Sequence, residues 1–369
     1  MVRRVVTTSV LGGLAALMLA PQSFAAQEQK AAPTKATGTN APGPAAAKKF
    51  VPKRLPWGDP DISGNFTTKD EANTPMERPE QFAGKRMEDV SAEELAAANE
   101  ARRRKALADA PYPGGGSRTQ GVAIAVPIHW FDSLDTENSR PWFVTDPPDG
   151  KIPPTTDQAK SRLAAEFAAR RQRGSAESYT DRSVGDRCIS WGIPVLRPMP
   201  TLYGNSIQVL QTKDYVAIRY EHVHETRIIP IEGRGAARPH ASQTLRSYFG
   251  DAIGHWEGDT LVIETTNVNP KIPYFAMTDG GRTVERLRRV APTKVDWSAT
   301  FDDPATWTRP WTFAIPWTED DTQAIHESAC HEGNYGLRNI LSAGRSDDKK
   351  GIKSSDSVDS QEDLKPFQD

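Results

Sequence analysis

The stretch 215–229 (YVAIRYEHVHETRII) carries the residues best suited to chemistry, two imidazoles separated by a single position. Its β-branched and aromatic residues predict a strand, in which successive side chains alternate between two faces. One face then holds Val216, Ile218, Tyr220, His222, His224, Thr226 and Ile228. The other holds Tyr215, Ala217, Arg219, Glu221, Val223, Glu225 and Arg227. The second face is charged and belongs in water, so His222 and His224 are expected to turn inward together, beside Tyr220. An imidazole with a pKa of about 6.5 both takes and returns a proton near neutrality. Two of them in an apolar interior have to be used or satisfied. Three readings stay open for the pair: a ligand or acid–base site, a metal site, and core histidines with hydrogen-bond partners.

A second concentration follows at 326–335 (HESACHEGNY). It is close to the His-Glu-x-x-His zinc helix but differs from it, because the second His stands five positions on rather than four. On a helix His326 and His331 would lie about 140° apart and could not grip one ion. His331, with Glu332 beside it, is nevertheless available to meet the other pair. The expected catalytic set is therefore His222 and His224 as base and acid, Tyr220 as hydrogen-bond donor, and His331 with Glu332 completing the site. The same three imidazoles, with Glu332 or water as a fourth ligand, would suit zinc or copper. The structural alternative for this segment is a strand end closed by a turn at Gly333 and Asn334.

The sequence holds 2 Cys, which rules out a cysteine-rich metal cluster. In an exported chain the pair Cys188 and Cys330 is most simply a disulfide, and closing so long a loop is worth roughly 4–5 kcal/mol in the chain-entropy model. A thiol activated by His331 is the weaker reading, since sequence neighbours on a strand face opposite ways. No Gly-x-Ser-x-Gly elbow, phosphate-cradling loop or dinucleotide fingerprint is present, so no organic cofactor is expected.

The elements that must position these residues are mostly strands. Runs at 206–211, 215–229, 260–266, 283–290, 295–301 and 311–317 are β-branched or aromatic and are separated by turn residues. Five of the 9 Trp (256, 297, 307, 311 and 317) fall in this half, which predicts an aromatic interior. Short strands with close turns argue a mainly β fold, an antiparallel barrel or sandwich. Two charged surface helices accompany it. The helix at 91–110 opens on Ser91 and Glu94, the spacing of a capping box, and the helix at 156–173 has a thin apolar stripe at Leu163 and Phe167.

The chain of 369 residues carries 46 Lys+Arg against 48 Asp+Glu, a formal charge of −2. That balance gives no electrostatic case for nucleic acid. Residues 1–25 read as a cleaved secretory signal: Arg3 and Arg4, a short apolar stretch at 10–20, then Ser-Phe-Ala. The apolar stretch falls short of the roughly 20 residues that span a bilayer, and no membrane span is expected elsewhere. A disordered Ala/Pro-rich linker is expected at 26–55, a single β-rich domain at 56–345 and a disordered polar tail at 346–369. A periplasmic or secreted location follows.

Several stretches resemble a large, mostly uncharacterised family of exported bacterial proteins, abundant in acidobacteria and sphingomonads: DPPDGKIP (146–153), RCISWGIP (187–194), QTKDYVAIRYEHVHETRIIPIEGR (211–234), GHWEGDTLVIETTN (254–267), DDPATWTRPWT (302–312) and ACHEGNYGLRNIL (329–341). The chain departs from that pattern at Glu225 and Thr226, where the family is expected to carry an Asp. The resemblance implies a calycin-like β-barrel. Together with the inward His-x-His, it leads to an expected exported enzyme acting on a small hydrophobic or aromatic molecule by histidine acid–base chemistry, of lyase, dehydratase or isomerase type. The alternatives are a His-ligated zinc or copper enzyme and a periplasmic binding protein for an apolar ligand.

Overall fold

In a computed structural model, residues 50–109, 117–119, 122–124, 138–173, 176, 178–190, 199–201, 203–269, 277–322, 325–332 and 334–351 are described. The expected signal at 1–25, most of the expected linker and the end of the polar tail lie outside them. Residues 49–369 cluster as one compact unit.

Three long strands rich in inward apolar residues build the heart of the molecule. Strand β10 (Arg282–Ala291), β11 (Lys294–Asp302) and β12 (Trp311–Glu319) pair antiparallel. From β11 and β12, Val295, Trp297, Ala299, Phe301, Trp311, Phe313, Ile315 and Trp317 all turn inward and are buried. The register sets small against large, with Ala299 opposite Phe313 and Val295 opposite Trp317, so the rings interleave instead of colliding. Phe301 stacks on Trp311 with centroids 4.6 Å apart, and Trp297 stacks on Trp317 at 6.1 Å. Each such ring removes 150–250 Å² or so from water, which makes this cluster the main source of cohesion.

The remaining strands are β1 (Gly64–Thr67), β4 (Val144–Asp146), β5 (Ser206–Gln211), β6 (Tyr215–Tyr220), β7 (Thr226–Pro230), β8 (Asp251–Glu257) and β9 (Thr260–Thr266), with a separate hairpin of β2 (Ser117–Thr119) and β3 (Val122–Ile124). The main sheet runs β7-β6-β5-β1-β12-β11-β10-β9-β8, with β4 added to β12. Its pairings are antiparallel. The two edges approach one another beyond β7, where Glu232 N–H donates to the Gly254 carbonyl at 2.8 Å. Gly254 permits this approach, because a Cβ there would lie 3.2 Å from methyls of Ile229 and Ile231. The sheet thus curls toward a barrel without closing, and its interior is the packed aromatic cluster.

One expectation fails in an informative way. The run 215–229 is not one strand but a hairpin: β6 ends at Tyr220, a tight turn covers His222–His224, and β7 begins at Thr226. Val223 (φ 55°) and His224 (φ 44°) both take left-handed backbone, the signature of a primed hairpin turn. The turn shifts the alternation. On β6 the even-numbered Val216, Ile218 and Tyr220 are buried, whereas on β7 it is Arg227 and Ile229, and Ile228 is 66% exposed. The face expected to meet water therefore sends Arg227 into the interior.

Helices α1 (Ala92–Asp109) and α2 (Asp157–Arg173) match the two expected ones. The capping box forms, Ser91 N–H donating to Glu94 Oε2 at 3.0 Å and Glu94 N–H to Ser91 Oγ at 3.2 Å. A third helix, α3 (Tyr335–Lys350), was not expected. Asn334, read from sequence as a turn residue, is its N-cap and accepts from Leu337 N–H at 3.3 Å. The helix carries five residues of the supposed polar tail. The last residues of the supposed linker likewise belong to the body: Lys53 O accepts from Asp61 N–H at 2.8 Å, and Arg54 pairs with Asp259 at 2.5 Å.

Candidate functional site

The hairpin turn at His222–His224 parts the two imidazoles. His222 goes inward and is 6% exposed. Its Nε2 lies 2.7 Å from the Tyr203 carbonyl. A carbonyl can only accept, so this nitrogen carries the proton and donates. The Tyr203 ring packs on the imidazole, centroids 5.1 Å apart. Gly204 (φ +74°) lets the chain pass so close that any Cβ would fall 2.6 Å from Nε2. His222 is a hydrogen-bonded core histidine that pins Tyr203 and Gly204 to the sheet.

His224 is exposed, and its Nδ1 lies 3.3 Å from the Ser328 carbonyl. The same logic makes Nδ1 the donor, and in the neutral ring the lone pair is then on Nε2. The backbone that aims it is strained. Left-handed φ is rare for any residue with a Cβ and an outlier for a β-branched one such as Val223, at a cost of roughly 1–3 kcal/mol per residue. Surrounding contacts hold the turn in place: Tyr220 N–H donates to Glu225 O at 2.8 Å, His224 N–H to Glu221 O at 3.1 Å and Glu225 N–H to His222 O at 3.3 Å.

The segment that receives His224 is itself anchored. Cys188 and Cys330 form a disulfide with Cα atoms 5.6 Å apart, closing 142 positions of chain. Asn334 Nδ2 adds a hydrogen bond to Asp186 O at 3.1 Å. A loop of that length is worth about 5 kcal/mol in the chain-entropy model. Such a bond fits an oxidising, non-cytoplasmic compartment. Among the described residues no helix is long and apolar enough to cross a membrane. His331 and Glu332 lie just beyond Cys330, and both are exposed, as is His326.

The expected convergence of His222, His224 and His331 in one enclosed cavity is therefore corrected. The first is inside and hydrogen-bonded; the other two are outside, on two segments joined at Ser328. Among the described residues no group of three or more His, Cys, Asp or Glu side chains is placed to hold an ion, so the three-imidazole ligand set is not assembled. Tyr220 is also apart from His224. It is 2% exposed and receives a hydrogen bond from Arg227, and burial pushes its hydroxyl well above the ordinary tyrosine value.

Sequence reasoning missed two polar constellations. Inside the sheet Arg227 pairs with Glu285 through two bonds, Nη1–Oε1 at 3.0 Å and Nη2–Oε2 at 2.7 Å. Thr265 and Trp297 complete the set, at 3.2 and 3.1 Å. Both charged side chains are at most 3% exposed. Near the sheet edge, His240 Nδ1 lies 3.1 Å from Asp251, and its Nε2 lies 3.5 Å from Glu264. Burial alone would raise the Asp251 carboxyl, but Arg238, the Ala241 N–H and His240 outweigh it and hold it at about 2. The alternation read over 215–229 puts Arg227 on the water face, and the loop sequence around His240 carries no periodic signal. No family model matches the chain, and no curated protein does.

Proposed function

We propose that the protein is an exported enzyme that moves protons on a small apolar or aromatic molecule, using one histidine, His224, at the rim of the curled sheet. The observation that carries this reading is the 3.3 Å contact of His224 Nδ1 with the Ser328 carbonyl, which supports Nδ1 as the donor and Nε2 of the exposed ring as the base. Strained backbone concentrates at functional sites, and here it aims this imidazole. An apolar surface adjoins the turn. The exposed Ile228 and Leu210 flank Ala217 in one row across β7, β6 and β5, two residues along β7 from Thr226. His331 and Glu332, on the tethered segment, supply further polar groups. The disulfide and the signal-like start support export, as does the resemblance to exported bacterial proteins.

The test uses the full chain in deuterium oxide with a panel of small apolar and aromatic carbonyl compounds, read by mass spectrometry. A base that removes a carbon-bound proton and returns deuterium labels its substrate. His224→Gln should lower the labelling rate about 10²–10⁴-fold, while His222→Gln should leave the rate per folded molecule within a few-fold and lower thermal stability. Labelling unchanged in His224→Gln, or no labelling of any compound above buffer, would overturn the reading.

A further inference from the structure

The carbonyl that His224 meets stands on a stretch with little else to hold it. Residues 325–332 form no helix or strand, and none of them is fully buried. Their backbone bonds stay local: Cys330 N–H donates to Ser328 O at 2.9 Å, and Asn334 N–H to His331 O at 3.2 Å. Among the described residues, the covalent and hydrogen-bonded links from this stretch to the body are three. They are the disulfide, the Asn334 contacts with the loop of Cys188, and the ring of His224 itself.

The loop that receives the disulfide is firm. Cys188 is 2% exposed, on left-handed backbone with φ 53°. Its N–H donates to Gly185 O at 2.9 Å, Ile189 N–H donates to Val184 O at 2.9 Å, and Arg182 pairs with Asp186 at 2.9 Å. The covalent bond carries that fixity across to Cys330. Ser328 is two residues away, a reach of about 7 Å at most. Its carbonyl has two lone pairs, so it serves the Cys330 N–H and the imidazole together. One hydrogen bond to an exposed ring offsets less than the ordering of several backbone residues costs. His224 alone therefore cannot hold the stretch in place.

We propose that the Cys188–Cys330 bond is the positioning element for His224, and that its reduction releases the ring. What the bond does for proton transfer rests on the catalytic role given to His224; what it does to the ring does not. Reduction by a dithiol breaks the S–S bond: two electrons and two protons pass to the cysteines, and the dithiol closes to its own disulfide. Two thiols then remain, the stretch 325–332 moves away, and the imidazole loses the acceptor that keeps the proton on Nδ1.

The experiment follows the ring nitrogens of His224 by nitrogen NMR on the full chain, at about pH 8.5, above the ordinary histidine value. His224→Gln identifies the signals. A neutral imidazole without a partner prefers the proton on Nε2. The expected majority form is therefore Nδ1–H in the disulfide-bonded protein and Nε2–H after reduction. Near-UV circular dichroism of the tryptophans should persist, since β11 and β12 take no part in the link. Insertion of two glycines after Ala329 keeps the bond but lengthens the tether, and should move the proton as reduction does. Should the reduced chain unfold, this insertion carries the test alone. Deuterium labelling should fall about tenfold or more in both cases. An Nε2–H majority in the disulfide-bonded protein, or an Nδ1–H majority that survives the insertion, would overturn the proposal. A proton that moves as expected, in a protein that labels no compound, upholds the positioning and removes the catalytic reading.

Discussion

Two charged or titratable side chains three positions apart, His224 and Arg227, meet opposite fates. Arg227 enters the sheet, where Glu285 takes both of its Nη groups and Thr265 and Trp297 close the set. His224 stays outside on a left-handed backbone, held to its neighbours by one carbonyl. Enclosure leaves the inner pair no freedom, and its cohesion comes from water exclusion by Trp297, Phe313 and their neighbours. The rim residue keeps access to solvent, which enclosure would have removed. Burial and exposure are thus allotted to neighbouring positions of one short hairpin.

Breaking the inner pair should have the largest effect. Arg227→Ala leaves the Glu285 carboxylate buried without a partner and should cost about 3–5 kcal/mol, read by denaturant unfolding. Replacing Arg227 and Glu285 together with apolar residues of similar volume should recover most of it. A loss below about 1 kcal/mol for Arg227→Ala, in the range of an exposed pair, would mean that water reaches the pair.

Asp251 is an intermediate case, buried but at the sheet edge, and it sharpens the contrast. Its folded carboxyl sits at about 2 against an ordinary 3.8. A depressed carboxylate contributes its stability in full above the ordinary value and loses it as pH falls through the folded one. Asp251→Asn should therefore cost on the order of 2 kcal/mol at pH 7. The difference from the parent should shrink between about pH 4 and pH 2, as followed by acid titration of the unfolding midpoint. A difference independent of pH would assign the effect to packing.

The smallest expected change is at the turn. Val223→Gly relieves left-handed strain but gives up a buried side chain, and the two should nearly offset, leaving stability within about 1 kcal/mol of the parent. Proton transfer that depends on His224 should nevertheless fall, because the glycine no longer holds the ring against Ser328. A large loss of stability with activity intact would reverse the roles given to strain and packing.

Several features were legible because they are local. β-Branched and aromatic runs bounded by turn residues mark β9 to β12 without reference to anything else in the fold. Ser91 and Glu94 are neighbours on one helical turn, and two cysteines in a chain with an export-like start leave few pairings. The third helix escaped because its signal, Asn334 ahead of a sequence containing Gly336 and Gly344, reads equally as a turn. The split of 215–229 escaped for a similar reason: nothing in Glu-His-Val-His-Glu announces left-handed backbone, which in hairpins is usually given to Asn and Gly.

By itself the sequence determined a mainly β body with an aromatic interior and the two charged helices, and it made a Cys188–Cys330 disulfide the expected pairing. These follow from hydrophobic periodicity and from short-range or covalent chemistry. Tertiary structure alone decided which imidazole faces water, that Arg227 finds Glu285, and that the Ser328 carbonyl meets His224. Side-chain direction on a strand inverts with one turn of positive φ. Such a turn is paid for by contacts from distant segments, and no local pattern records them.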